Sequence, residues 1–386
     1  MVNKPKKHIL LLPAWYPTEE DPMFGLFVQN YAEMLVPEYT VTVLFYNVKA
    51  AKGREKSISV QSRNGFTEVG VHYYSNNRIA RWIGMFTGMH KAFRIIKKRF
   101  GKPDLINVQI LTRMAVFARI IQLRFGIPYV ITEHWSRYLP EHNTYKGVMR
   151  KRLTKRLCRK SKGLSAVSQY LADAMLNAGL KHRNPYHILY NVVDTDLFKL
   201  KNNTSGREVK QILHVSCFED KSKNLTGMLD ALAALRSKRT DFKCVLAGTG
   251  DDFDMIVAYA KSKNMLDYIE FPGLISAHQV AELMHKSDFY LQTSHYETLS
   301  VVICEALCCG LPVVSTEVGA IPEIVNKNNG MLVPDNNESE LVSAMDLMLD
   351  QCSEFSSDDI SKSAVNLFSA SAIRKRFNEL YEQGLS

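Results

Sequence analysis

Short apolar runs alternate with amphipathic stretches from one end of the 386-residue chain to the other, and this alternation constrains the fold more than any other feature. An apolar run of a few residues bounded by turn residues reads as a strand buried on both faces. A stretch with apolar positions three and four apart reads as the helix that covers it. Repeated many times, the pair builds α/β layers around a mostly parallel sheet. Strands are expected at 8–13, 40–46, 105–109, 129–132 and 164–167, with helices over 26–35, 91–100, 114–125 and 169–178. A second series places strands at 211–216, 242–248, 269–273, 289–293, 312–316 and 330–333, with helices over 225–236 and 301–308. Between the two series the sequence turns polar at 200–207, as a linker does. The chain therefore reads as two Rossmann-like domains, 1–200 and 201–369, facing each other across a cleft. An amphipathic helix over 370–386 is expected to pack back on the first domain. Open sheets of this kind bind ligands at the carboxyl ends of their strands.

Hydrophobic residues make up 46% of the chain and charged residues 23%, enough for each half to bury a core, which excludes disordered and collagen-like classes. Charge is divided unevenly. Residues 1–200 hold 32 Lys and Arg against 13 Asp and Glu, net +19, while the rest holds 17 against 26, net −9. The first half is thus expected to face something anionic. Seven scattered cysteines, an odd number without a CxxC pair, argue for a reducing compartment. The N-terminal apolar run after Lys4, Lys6 and Lys7 is cut by Pro13, well short of a signal-peptide core. No stretch reaches the roughly 20 apolar residues of a membrane-spanning helix. Location is expected to be cytoplasmic, peripheral on the inner face of the cell membrane.

The most specific segment runs from Ser294 to Ser315. A strand ends near Thr293, and a helix begins near Ser300, so free amides and a positive dipole end are offered to a diphosphate. Glu297 precedes the helix. Glu305 lies five residues past Ser300, about 7.5 Å along the axis, and helical side chains lean toward the N-terminus. Among Ile303, Cys304, Ala306 and Leu307 its carboxylate needs partners, and two ribose hydroxyls would supply them. His134 follows the strand 129–132 and so stands at a strand's carboxyl end. Gly25 precedes the first helix, where a glycine lets a ligand approach the backbone.

The spacing of Glu297 and Glu305, the following Gly310-Leu-Pro-Val-Val314, and Gly319 to Val325 resemble the retaining nucleotide-sugar glycosyltransferases of family 4, which have the GT-B fold. The likeness extends over nearly the whole chain. It implies that domain 1–200 binds the acceptor and domain 201–369 the donor. By the same likeness Glu297 contacts the donor sugar, Glu305 the ribose and Lys223 the diphosphate. Thr298, Leu299, Ser300 and Val301 stand where the family's amides meet sugar and phosphate, with Thr298-Leu299-Ser300 replacing glycines. Ser216 and Cys217 stand where Gly and Arg are usual. His134 corresponds to a histidine near the transferred sugar, Gly25 to a loop touching donor phosphate and acceptor, and Gly250 and Ile275 to turns flanking the base.

Gly248-Thr-Gly250 is not a dinucleotide fingerprint, because Phe253 occupies the third glycine position. Asp194-Thr-Asp196 leads into the hinge segment and is not read as a metal site. No metal and no cofactor are expected beyond the nucleoside diphosphate sugar as co-substrate.

The resemblance implies a hexosyltransferase acting by front-face attack without a protein nucleophile, on a lipid-linked or polysaccharide acceptor in cell-surface glycan synthesis. The segment bounded by Lys146 and Lys162 carries nine cations and no acid, with Met149, Leu153 and Leu157 at helical spacing. It is a candidate for an anionic membrane surface, as is the basic helix 91–99 that follows Arg81 to Phe86. Two other readings are a nucleotide-sugar epimerase on the same fold and a basic nucleic-acid-binding protein. The second lacks an RNA-binding motif, so nucleic acid is not expected as a partner.

Overall fold

The structure, a computed structural model, describes residues 5–21, 23–50, 54–142, 144–200 and 208–386. Most of the stretch read as a linker, 201–207, lies outside them. The chain divides into two compact units, one comprising Met1–Val192 with Ile373–Ser386 and the other Val193–Ala372.

The first unit carries β1 (His8–Pro13), β2 (Thr40–Lys49), β3 (Arg54–Arg63), β4 (Phe66–Ser75), β5 (Leu105–Gln109), β6 (Tyr129–Glu133), β7 (Leu164–Ala166) and β8 (His187–Ile188). They form one sheet in the order β3-β4-β2-β1-β5-β6-β7-β8. All neighbours are parallel except β3, which runs antiparallel to β4 at the edge. Its helices are α1 (Leu26–Leu35), α2 (Arg78–Phe100), α3 (Arg113–Phe125), α4 (Val148–Lys160) and α5 (Gln169–Asn177). Strand order reverses between β1 and β5, where a doubly wound sheet opens a crevice.

In the second unit β9 (Lys210–Val215), β10 (Phe242–Ala247), β11 (Ile269–Gly273), β12 (Phe289–Gln292), β13 (Val313–Thr316) and β14 (Gly330–Val333) form an all-parallel sheet in the order β11-β10-β9-β12-β13-β14. This is the Rossmann order, with its reversal between β9 and β12. Helices α6 (Asp220–Lys223), α7 (Leu225–Arg236), α8 (Phe253–Ser262), α9 (Ala277–Lys286), α10 (Val301–Cys308), α11 (Ile321–Ile324), α12 (Glu338–Gln351) and α13 (Ser357–Phe368) flank it. Leu246, Phe289, Met228, Leu232 and Met345 are wholly buried in its core.

Three sequence expectations change. The hairpin β3–β4 is absent from the strand list above, yet Asn64 (φ 44°) and Gly65 (φ 87°) make the two-residue turn that joins antiparallel strands. The helix expected to begin at residue 91 begins at Arg78, capped by Asn77, and takes in Trp82 and Phe86. Gly84 and Gly88 interrupt its apolar pattern because a Cβ there would lie 2.5 Å from Tyr73 and Val71 of β4, so the glycines permit close helix-to-sheet packing. The division between units falls at Val192/Val193 instead of 200. Val193 N donates to Phe368 O at 2.9 Å, and His285 bonds Lys199 O, tying 193–200 to the second unit.

The last helix, α14 (Ala370–Leu385), leaves the second unit and from Ile373 onward is part of the first. Phe377 and Tyr381 are wholly buried there. Asn107 Nδ2 donates to the Tyr381 hydroxyl, Arg374 Nε to Met34 O and Gln383 Nε2 to Lys162 O. Among the described residues no helix is long and apolar enough to cross a membrane. All seven cysteines are unbridged.

Candidate functional site

In the second unit the loops after β9 and β12 meet at the strand reversal. Lys223, at the end of α6, and Glu297, in the loop between β12 and α10, form an ion pair with Nζ to Oε1 at 2.5 Å. The same oxygen accepts from Gln292 Nε2 at 3.1 Å and Ser294 Oγ at 3.0 Å. Gln292 Oε1 accepts in turn from Ser300 Oγ at 2.8 Å, and the Tyr290 hydroxyl donates to Val215 O at 3.0 Å. Burial disfavours the Lys223 ammonium, but the charge and hydrogen bond of Glu297 outweigh it and raise its pKa above the ordinary value. His214 braces the two strands. Its Nδ1 faces Leu291 O at 2.8 Å and its Nε2 the Ser216 hydroxyl at 2.7 Å, and burial lowers its pKa to about 4. The neutral ring donates to the carbonyl and accepts from the serine.

Ser300 caps α10 by accepting from Ile303 N at 3.3 Å. Leu299 and Ser300 turn inward and are buried, so of the three residues replacing glycines only Thr298 is partly exposed along with Val301. Glu305 has no hydrogen bond or ion pair to its carboxyl among the described residues. Burial pushes its pKa up to about 8. Burial raises the pKa of the Tyr290 hydroxyl, and the charges of Glu297 and Glu305 add to the rise. Gly250 and Ile275 follow β10 and β11 at the same edge of the sheet. A Cβ on Gly250 would lie 2.5 Å from Phe218 O, so close backbone packing requires the glycine. Cys217 lies beside these groups at the surface, and partial burial of its sulfur raises the thiol pKa, with Lys223 opposing the rise. Asp194 Oδ1 accepts from Asp196 N and Leu197 N, a turn cap.

In the first unit His134 directly follows β6. Its Nε2 bonds Gln109 Oε1 at 2.8 Å, its ring stacks on Phe27 at 4.2 Å, and burial lowers its pKa to about 3. Gly25, at φ 75°, starts α1, and a Cβ there would lie 2.5 Å from the Trp15 carbonyl.

Residues 25–197 match the family model Glycosyltransferase Family 4, and residues 198–364 match Glycosyl transferases group 1. The chain is a glycosyltransferase of family 4. An uncharacterized glycosyltransferase of Methanocaldococcus jannaschii is 27% identical over 279 residues, 72% of this chain and 74% of its own. The sucrose-phosphate synthase of Thermosynechococcus elongatus superposes with a TM-score of 0.76 at 16% identity, covering 98% of this chain and 99% of that one. HepE of Anabaena, solved in complex with UDP-glucose, gives 0.73 at 18% identity over 97% and 99%. Those structures carry the GT-B fold, and this glycosyltransferase shares it.

Three residues of the glycosyltransferase that hold these side chains escaped the sequence reading, and a fourth, Gly319, was read there without its partner. Glu133, wholly buried, accepts from Leu111 N, His134 N and Trp135 N, each at 2.9 Å. Burial raises its pKa, and those amides oppose the rise. Ile110 adopts φ 74°, rare for a β-branched residue, and so turns Leu111 N toward Glu133. Gln292 links Glu297 to Ser300. Gly319, at φ 57°, lies so close to Glu297 that a Cβ would be 1.9 Å from its carbonyl oxygen. The turn signal of Gly319 was visible in the sequence; its partner was not.

Proposed function

We propose that the glycosyltransferase moves a hexose from a nucleoside diphosphate to an acceptor hydroxyl with retention of anomeric configuration, the second unit holding the donor and the first the acceptor. One observation carries this reading: the strand reversal of the second unit holds a buried lysine, a carboxylate networked to it, and, on the adjoining helix, a second carboxylate without partners among the described residues. A diphosphate matches the lysine and the amides at Thr298, Leu299, Ser300 and Val301, and a ribose matches Glu305. Gly250 and Ile275 would flank the base, and Gly25 the donor phosphate. Lys223 neutralises charge that grows on the departing diphosphate, whose oxygen takes the acceptor's proton. Glu297 and His134 position the sugar ring. That HepE was solved with UDP-glucose supports a donor of this class.

The acceptor is lipid-linked or a growing polysaccharide, met at an anionic membrane surface. In its support, exposed Ile79, Trp82 and Ile83 lie in the first turns of α2, and exposed Val148, Met149 and Leu153 in those of α4. Both helices follow parallel strands of one sheet, so these residues share its carboxyl edge, among Arg78, Arg81, Lys151 and Arg152. Leu157, expected in the same stripe as Met149 and Leu153, is buried with Thr154 and Cys158 and belongs to the core.

Thermal shift against UDP-, GDP- and ADP-sugars tests the donor assignment. A ligand at 100 times its Kd stabilises by about 2.7 kcal/mol, so one nucleotide class should raise Tm clearly above the others. If none does, the donor assignment is withdrawn.

A further inference from the structure

Among the described residues several buried polar atoms of the first unit have no hydrogen-bond partner, including Gln109 Nε2, Thr112 Oγ1, His134 Nδ1 and Arg137 Nε. Gln109 ends β5, and the other three come from the segments that follow β5 and β6, beside the strand reversal. A native fold leaves few buried polar groups unsatisfied, and a cluster of them marks where a ligand completes the structure. The backbone there is held hard. Glu133 fixes Leu111, His134 and Trp135 through their amides, and Ile110 is kept at positive φ.

Arg137 is the charged member of this group. Its guanidinium carbon lies 3.3 Å over the Trp135 ring, and it has no ion pair among the described residues. Glu133, the carboxylate whose charge acts on it, is committed to three amides. Arg150 adds like charge. Stacking occupies the face of the guanidinium and the Tyr138 hydroxyl interacts with one side of it, leaving the remaining N–H groups of the planar fork, the geometry that grips a phosphate or carboxylate with two parallel bonds. Trp135 meets Trp15 edge to face at 5.4 Å, and Trp15 meets Phe24 at 5.8 Å, so the fork adjoins an aromatic wall suited to the apolar face of a sugar ring.

We propose that Arg137, stacked on Trp135, binds an anionic group of the acceptor, so that the acceptor is an acidic or phosphate-bearing sugar. This rests on the reading of the first unit as the acceptor unit. Arg137 is the specificity-determining contact, Trp15 and Trp135 the platform, and His134 Nδ1 and Thr112 Oγ1 are buried, unsatisfied acceptors in the same segments.

Tryptophan fluorescence of the full chain tests this, because Trp15, Trp82 and Trp135 all lie in the first unit and the donor unit has no tryptophan. In a Trp82→Phe background the signal reports only the platform. Glucose 1-phosphate, glucuronate and methyl α-glucoside are titrated as the phosphate, carboxylate and neutral probes. One anionic probe should bind at least about tenfold more tightly than the neutral one. Arg137→Gln should abolish that preference while leaving neutral binding intact, which also reports a folded site, and Arg137→Lys should fall between. A preference that survives Arg137→Gln, or a wild type that does not discriminate, overturns the proposal. If no probe changes the fluorescence while nucleotide sugars still raise Tm, the acceptor reading of the first unit fails and the donor reading stands.

Discussion

Lys223 Nζ lies 2.5 Å from Glu297 Oε1, both side chains largely removed from solvent, so the cation assigned to the diphosphate is already neutralised before any donor arrives. An incoming diphosphate competes for the ammonium, and Glu297 keeps Gln292 and Ser294 as donors. The pair is therefore poised to open without stranding the carboxylate.

Lys223→Ala should lower kcat about 100-fold, in the range seen when a group facing developing charge is removed, and change KM less. It also leaves Glu297 buried without its cation, at a cost of about 1–3 kcal/mol. Combining Lys223→Ala with Glu297→Gln should restore Tm but not turnover. Steady-state kinetics beside melting curves separate the two effects; a raised KM with intact kcat would remove the leaving-group role.

At pH 8.5, where the Glu305 carboxylate is charged, Glu305→Gln should weaken nucleoside diphosphate binding at least tenfold, since hydrogen bonds to a charged acceptor contribute about 1.5–3 kcal/mol. Its effect on the free protein runs the other way. The folded pKa of about 8 exceeds the ordinary carboxyl value of 4.5, so the folded state binds this proton more tightly and loses stability as pH rises between the two values. The variant should melt like the wild type at pH 5 and a few degrees higher at pH 8.5. Calorimetric titration and pH-dependent melting check both arms.

Gly319→Ala should destabilise the second unit by more than about 2 kcal/mol, because positive φ alone costs an alanine about 1 kcal/mol and the new Cβ must displace the Glu297 backbone. Donor affinity should fall with it. Gly126→Ala is the control: φ is 68° in the left-handed region, but nothing lies within 4 Å of its Cβ, so only the strain remains. Equal urea midpoints for the two variants would show that the contact at Glu297 does not matter.

His134, held near pKa 3 by burial, is neutral throughout the physiological range, so it should not produce a limb near pH 6.5 in the rate profile. Its lowered value means that the unfolded chain binds the extra proton first. Stability should fall as pH drops from about 6.5 toward 3, and His134→Gln should flatten part of that slope. Urea denaturation at stepped pH gives the comparison.

Much of this arrangement was legible because strand ends are written locally. Apolar runs located β1, β5, β11 and β14 to the residue, and the turn after each strand then fixed which side chains reach the sheet's carboxyl edge. What stayed hidden depends on contacts between distant segments. Glu133 looked like one more strand residue until the amides of Leu111 and Trp135 converged on it. Gln292 was read as one more residue of the strand 289–293, although it carries the link between Glu297 and Ser300. The β3–β4 hairpin had its Asn-Gly signal, but its flanking residues are mixed in polarity, since an edge strand need be apolar on one face only.

The membrane reading makes the last prediction. In α4, Lys151, Arg152, Arg156 and Arg159 are exposed, while Thr154, Leu157 and Cys158 pack inward, so the cations are replaceable without touching the core. Changing these four to Gln should release the protein from anionic vesicles, because each cation near such a surface contributes about 1 kcal/mol. Met149→Ser with Leu153→Ser should weaken binding to the same vesicles by a route that salt does not mimic, since apolar insertion is unscreened. Sugar transfer to a short water-soluble acceptor should persist in both variants, as no donor contact is altered. Sedimentation with vesicles of phosphatidylglycerol against phosphatidylcholine, at low and high salt, reads all of this. If the quadruple variant sediments like the wild type, α4 is a solvated face, and the basicity of the first unit answers to the anionic acceptor at Arg137 instead.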